Sequence, residues 1–458
     1  SEVEVEGLDI NLHGETIHGY QFSPALARQT WALPHRSAPF SLSADTARLA
    51  DESRELVPMF PGRLAQLPPS SFAKLATLLD PVTPGAEPVS LAVGDPKGAV
   101  PDFVGKAIGE NAHLFGEYPP INGTKDWREA AATWLRRRFE LPVQSIDPEK
   151  HLLPLNGTRE GLFLAPFIVT PETKAGARPV ILLPNPFYQC YAAAILASGA
   201  EPVFVPARAE TSFLPDYVSL PKNILERTVA AYICSPSNPE GACASEDYWR
   251  ALFALSDQYD FTIFADECYA DIYLGRAPTG ALSARYKQNG GFERLLTFHS
   301  LSKRSGLPGL RSGIVAGDAK LMATFRAFRN YAGPQVAMPI MAASAAAWRD
   351  ETHVIANRAA YAKKFEIARR VLGNRAGFRL PEGGFFLWLD VGDGEAAALK
   401  LWREGGIRVL PGAYMGREIE TGKPRTNPGF PYLRVALVSD LSTIEATLAR
   451  MGEILSGT

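Results

Sequence analysis

Ser300-Leu301-Ser302-Lys303-Arg304-Ser305-Gly306-Leu307-Pro308-Gly309-Leu310-Arg311-Ser312-Gly313 follows an apolar, strand-like stretch, Leu295-Leu296-Thr297-Phe298. The run places one amine behind two serines and eight residues ahead of an arginine. An amine that forms a Schiff base with a phosphorylated aldehyde needs a clamp for the phosphate dianion close by. Hydroxyls and a guanidinium supply one, and arginine suits phosphate better than lysine because its donors form a planar fork. The competing reading is a surface loop that is basic by coincidence. The rest of the chain decides between them.

Further parts of such a site occur in order. Asp266 ends the apolar run Phe261-Thr262-Ile263-Phe264-Ala265-Asp266, and Tyr269 stands three residues on. A carboxylate facing a pyridine nitrogen keeps it protonated, which makes the ring of pyridoxal phosphate an acceptor for the electrons of a broken Cα–H bond. Tyr269 can hydrogen-bond the phenolate oxygen of that cofactor. So can Asn238, in Ser235-Pro236-Ser237-Asn238-Pro239-Glu240-Gly241 after the apolar run from Ala230 to Cys234. Singly, an Asp is an ordinary helix cap and Asn-Pro an ordinary turn.

Asn156-Gly157-Thr158-Arg159-Glu160-Gly161 joins the apolar Leu152 to Leu155 to a helix expected over Leu162 to Val169, interrupted by Pro166. A glycine turn opening a helix offers free N–H groups and the positive dipole end to an anion. In Leu183-Pro184-Asn185-Pro186-Phe187-Tyr188 an aromatic can stack on the pyridine face. Arg434 interrupts the strand-like Pro431-Tyr432-Leu433-Arg434-Val435-Ala436-Leu437-Val438. Burying it demands an anionic partner, which a substrate α-carboxylate provides; an edge-strand arginine facing water is the alternative. Gly94 lets backbone approach the same carboxylate, or serves as a plain turn.

Apolar strand-like runs alternate with helical patterns from about Thr124 to Gly333, among them helices expected over Thr124 to Glu140 and Ser245 to Tyr259. Such alternation argues an α/β fold with a mostly parallel sheet between helices. Site residues at strand carboxyl ends agree with where open α/β sheets bind ligands.

As a set, Gly94-Asp95-Pro96, Tyr118 with Gly123 and Arg128, Asn156-Gly157-Thr158, Pro186-Phe187, Asn238-Pro239-x-Gly241, Asp266-x-x-Tyr269, Ser300-x-Ser302-Lys303 with Arg311, and Arg434 resemble the fold type I, pyridoxal-phosphate-dependent aminotransferases of class I/II. The resemblance covers roughly residues 60 to 458. It implies a large domain with a seven-stranded, mostly parallel sheet and a smaller α+β domain. The expected division is 1–58 as an N-terminal extension or arm, 59–104 and 341–458 as the small domain, and 105–340 as the large domain. It implies that Lys303 carries the cofactor, Asp266 pairs with its ring nitrogen, and Tyr269 and Asn238 bind its phenolate. Ser300, Ser302, Arg311, Gly157 and Thr158 would hold the phosphate, Arg159 would also bind the cofactor, and Phe187 would stack on the ring. Arg434 would bind the α-carboxylate, with Gly94 and Asn238 beside it. Tyr118 would reach the site of a partner subunit in a homodimer. The substrates would be an amino acid and a keto acid exchanged by a ping-pong cycle.

Longer runs, such as Leu153 to Glu160, Leu183 to Gln189 and Ser302 to Gly313, resemble the proteobacterial N-succinyldiaminopimelate aminotransferases. That implies glutamate as donor and N-succinyl-2-amino-6-oxopimelate as acceptor. Two features depart from that pattern. Glu240 stands where a small residue follows Asn-Pro, and Arg329-Asn330-Tyr331-Ala332-Gly333-Pro334-Gln335 lacks a histidine near Ala332. Other enzymes of the fold, a β-lyase or a decarboxylase, use the same cofactor. A cofactor-sensing transcription regulator would carry a DNA-binding domain, and residues 1–58 have neither a helix–turn–helix pattern nor a basic excess.

Composition sets the bounds. The chain has 458 residues, 46% hydrophobic content and a net charge of −2, so bulk charge implies no nucleic-acid surface. Cys190, Cys234, Cys243 and Cys268 lack metal-ligand spacing and read as buried reduced thiols. His13 and His18 are likewise poor metal ligands. With neither a membrane-length apolar run nor a signal pattern, a cytoplasmic protein without membrane contact is expected. Residues 1–58 show no clear period; an arm over a partner subunit is favoured over an upstream segment preceding initiation at Met59.

Overall fold

The computed structural model describes residues 69–457 together with Gly62 and Leu67. The expectations for residues 1–58 lie outside the described residues.

Twelve strands follow in chain order. A short β1 (Val89–Ser90) precedes β2 (Leu152–Leu155), β3 (Val180–Asn185), β4 (Glu201–Pro206), β5 (Thr228–Cys234), β6 (Thr262–Asp266), β7 (Leu295–Ser300) and β8 (Gly313–Gly317). Beyond them lie β9 (Phe386–Asp390), β10 (Ile407–Arg408), β11 (Leu410–Pro411) and β12 (Tyr432–Ala436). Strands β2 to β8 form one seven-stranded sheet in the order β2-β8-β7-β6-β5-β3-β4. β8 alone runs antiparallel to the other six strands. The expected α/β sheet is therefore present.

The central strands are apolar almost throughout because both faces are covered. Side chains alternate between two cores. Ile263 and Ala265 of β6 pack with Trp127, Phe253 and Leu282 on one face. Phe264, with Phe298 of β7, packs with Leu162, Tyr191 and Phe325 on the other. A third core gathers β9 and β12 with the helices Thr352–Leu372, Gly394–Gly405 and Leu441–Ser456.

Helix starts follow their caps. Thr124 Oγ1 accepts from Trp127 N at the head of Lys125–Arg138, and Ser245 Oγ from Tyr248 N at the head of Glu246–Tyr259. The helix expected from Leu162 instead starts at Thr158, directly after Gly157, and runs to Val169 through Pro166. Proline has no N–H for the carbonyl four residues back. That carbonyl, Leu162 O, accepts the Tyr232 hydroxyl at 2.5 Å. The alanine-rich helix spans Met338–Arg349, crosses the division expected at 340/341, and packs on Lys125–Arg138. Trp127 Nε1 donates to Ser344 Oγ across that contact.

Candidate active site

A cavity of about 360 Å³ opens where the carboxyl ends of β3, β5, β6 and β7 meet the segment after β2 and the start of β8. Every residue singled out from the sequence as a site residue lines it except Gly157 and Tyr118. The side chain of Tyr118 is fully exposed. Gly157 caps the helix Thr158–Val169 with φ +78°, and a Cβ there would meet the Arg311 guanidinium. Both the backbone angle and the close approach therefore call for glycine. Arg311 donates from Nη2 to Asn156 O at 3.1 Å, so it lies across the helix N-terminus.

Lys303 follows β7 in a short helix, Leu301–Arg304, capped by Ser300 Oγ, which accepts from Ser302 N at 3.1 Å. Its Nζ donates to Gly94 O at 2.6 Å and lies 5.4 Å from the Phe385 ring centroid. Burial holds the amine below its ordinary pKa; Cys268 and Asp95 oppose this, while Arg434 and Arg311 add to it.

Asp266 is 5% exposed. Tyr191 Oη donates to its Oδ2 at 2.5 Å and Cys268 N to its Oδ1 at 3.2 Å. It has no cationic partner among the described residues, and burial raises its pKa. A buried carboxylate in that state fits a protonated ring nitrogen. Tyr191 in turn stacks on Tyr232, centroids 4.4 Å apart. Tyr269 is buried edge-on against Phe385 and Phe386, and its hydroxyl has no hydrogen-bond partner among the described residues.

Arg434 comes from the other sheet, on β12 between β9 and β11. Nη1 donates to Asn238 Oδ1 at 3.1 Å and Nη2 to Ala92 O at 2.7 Å, while buried Nε has no partner. Burial pushes this guanidinium down to about 10, and no carboxylate faces it among the described residues. The Arg434–Asn238 bond turns the Asn238 NH2 group away from the arginine as a free donor. Gly94 is needed for closeness, since a Cβ there would lie 2.6 Å from Phe386 Cζ.

Two residues of the site escaped the sequence reading, and a third was one of two aromatics it offered. Tyr191 lies in an apolar helix where nothing marks a partner 75 positions away. Cys268 is half-buried rather than a core thiol, and its Sγ is 3.0 Å from Thr158 Oγ1. Tyr188, not Phe187, is the more open aromatic of its pair. Phe187 is 3% exposed and packs on Phe204 with centroids 5.0 Å apart. Tyr188 accepts from Arg159 Nε at 2.6 Å. A second, larger groove of about 900 Å³ shares Phe72, Arg159, Tyr188, Gln189 and Arg311 with the first cavity and runs on to Ala332, Gly333 and Pro334.

The residues present fit pyridoxal phosphate: an amine, an unpaired buried carboxylate and a helix N-terminus under an arginine surround one cavity at the carboxyl end of the sheet. This is the layout of a fold type I enzyme using that cofactor. The chain belongs to the aminotransferases of class I and II, whose pattern matches residues 86–437. It is similar to a crystallised aminotransferase from Neisseria meningitidis Z2491, with 40% identity, a TM-score of 0.81, and coverage of 86% of this chain and 99% of that one. It is 33% identical to the 4-dedimethylamino-4-oxo-anhydrotetracycline transaminase of Streptomyces rimosus over 79% of this chain and 92% of the relative. It is 29% identical to the LL-diaminopimelate aminotransferase of Syntrophobacter fumaroxidans over 86% of this chain and 98% of the relative.

Proposed function

We propose that this aminotransferase moves an amino group between glutamate and N-succinyl-2-amino-6-oxopimelate, with Lys303, Asp266, Asn238 and Arg434 at its centre. The observation that carries the reading is the buried, carboxylate-free Arg434 in the same cavity as Lys303. An arginine in that state is waiting for an anion, and every amino acid and 2-keto acid brings one in its α-carboxylate.

Bound pyridoxal phosphate supplies an electron sink for the pair left when the substrate Cα–H bond breaks. Lys303 would hold the cofactor through its Nζ. Once free, that amine would serve as the base for the substrate Cα proton, and burial favours the neutral form that a base must have. Asp266, backed by Tyr191, would keep the ring nitrogen protonated. Asn238 Nδ2 and Tyr269 Oη would donate to the phenolate oxygen. Ser300, Ser302, Thr158, Arg159, Arg311 and the amide of the turn at Gly157 would hold the phosphate. Tyr188 takes the stacking role that the sequence suggested for Phe187. Gly94 keeps backbone close to the carboxylate. Tyr118 is offered to a second copy of the chain in a homodimer.

The substrate assignment draws on the runs that resemble N-succinyldiaminopimelate aminotransferases and on relatives that act on diaminopimelate. The groove beyond Tyr188 offers room for a long acyl chain, and the segment Arg329 to Gln335 reaches it. The test is a coupled assay with glutamate against a panel of keto acids. N-succinyl-2-amino-6-oxopimelate should give the highest kcat/KM. An aspartate-, alanine- or aromatic-derived keto acid that outperforms it overturns the acceptor assignment and leaves the aminotransferase chemistry standing.

A further inference from the structure

Arg304, the neighbour of Lys303, is 2% exposed. Its Nε donates to Asp271 Oδ2 at 2.9 Å, Nη1 to Ala347 O at 2.7 Å, and Nη2 to Glu351 Oε1 at 2.6 Å. Its plane lies against Trp134 and Trp348, 5.5 and 5.2 Å from their ring centroids. Asp271 is equally buried, and its other oxygen accepts Arg138 Nε at 2.8 Å. Asp271 stands two residues beyond Tyr269 on the turn that begins at Asp266. From the opposite side, Asn357 Nδ2 donates to Lys303 O at 3.2 Å and Arg304 O at 3.0 Å.

A helix of four residues has almost no stability of its own. The backbone of Lys303 is therefore held by what grips Leu301–Arg304 from outside. One of those grips is the Asp271 carboxylate, which also belongs to the turn bearing Asp266 and Tyr269. Replacing such a buried ion pair by apolar packing is often neutral for stability, so stability alone does not account for it.

We infer that Arg304 and Asp271 are positioning residues: their buried ion pair fixes the Lys303 backbone against the Asp266–Tyr269 turn, holding the amine in one placement relative to both. The inference rests on the role of Lys303 proposed above. Neither residue lines the cavity, so neither is catalytic.

The test loads the full chain with pyridoxal phosphate and titrates its visible band with pH, in wild type, Arg304→Lys and Asp271→Asn. Trp249→Phe serves as a destabilised control, because its Nε1 bond to Thr279 O, on the helix Glu246–Tyr259, is not part of the Arg304–Asp271 network. The band reports the nitrogen that joins Lys303 to the cofactor, and a lysine no longer held in one placement changes that nitrogen's surroundings, so the titration midpoint should shift by about half a unit or more in the two variants. Misplacement should cut kcat by roughly 10- to 100-fold. KM for glutamate should stay within about twofold, because Arg434 is untouched. The control should lose thermal stability with its midpoint unchanged. An unchanged midpoint in folded Arg304→Lys overturns the inference, as does a control midpoint that moves equally. If both variants fail to fold, Glu351→Gln, on the network's 37%-exposed rim, decides by the same readings. A wild type that gains no band dependent on Lys303 instead overturns the reading of Lys303 itself.

Discussion

Arg434, on β12, and Asn238, in the turn after β5 and 196 positions away in the chain, are joined by a hydrogen bond of 3.1 Å from Nη1 to Oδ1. The bond couples two halves of one task. It orients the Asn238 amide so that its NH2 group faces away from the arginine, and it holds one edge of the guanidinium while leaving Nε unpartnered. In the proposed reading, recognition of the substrate and tuning of the cofactor share this contact.

Arg434→Ala should therefore weaken donor and acceptor alike, by on the order of 2–5 kcal/mol in kcat/KM, because a buried carboxylate is left without its partner. Arg434→Lys should recover only part, for want of the second parallel donor. The two half-reactions, measured separately, check this. An effect confined to one would mean that Arg434 reads a distal group.

Asp266→Asn should slow single turnover by about 100-fold or more, since a neutral amide no longer holds the ring nitrogen protonated. Asp266→Glu should retain more. Tyr191→Phe removes one of the two donors on that carboxylate and should slow turnover less than Asp266→Asn does. Rapid-mixing kinetics with glutamate rank the three; near-normal rates for Asp266→Asn contradict the assigned role.

The aromatic pair separates by observable. Phe187→Ala should cost about 3–5 kcal/mol of stability, as core truncations of that size do. Tyr188→Ala should leave folding nearly intact and weaken cofactor retention by roughly 2- to 10-fold, the worth of one stacked ring. Thermal unfolding and cofactor dissociation, run side by side, distinguish them, and a reversed pattern returns the stacking role to Phe187.

Glu240 gives a dependence on pH. Burial pushes its carboxyl up to about 8 from 4.5, against the opposing effects of its own backbone, Ser237 and Arg379. A raised pKa in the folded state means stability is fully present below the unfolded value and is lost as pH rises through the folded one. Wild type should lose stability between about pH 5 and 8, on the order of a few kcal/mol. Glu240→Gln should flatten that slope. Glu267, pushed up to about 8 chiefly by burial, keeps part of it, so the double glutamine variant should be flatter still. Unfolding midpoints across that range check the sign; a slope identical in wild type and Glu240→Gln contradicts it.

Much of this site was legible because apolar runs end in the residues proposed to do its chemistry. Asp266, Asn238 and Lys303 each close or follow a strand, and the parallel sheet brings those ends together. What was illegible depends on partners far along the chain. Pro166 stays inside a helix because Tyr232 takes the carbonyl it leaves free. Tyr191 finds its place only through Asp266, 75 positions further along the chain. Phe187 and Tyr188 follow the same strand, and only the packing of Phe204 separates the buried ring from the open one. Cys268 was read as core because nothing in its neighbourhood reveals Thr158.

The most direct measurement is the absorbance of the purified protein with pyridoxal phosphate as glutamate and then the keto acid are added, in wild type and Lys303→Ala. Wild type should develop a visible band that glutamate bleaches and the keto acid restores. Lys303→Ala should bind the cofactor without that lysine-dependent band and should not complete a cycle. A wild type without such a band, or a Lys303→Ala variant that turns over normally, contradicts the account.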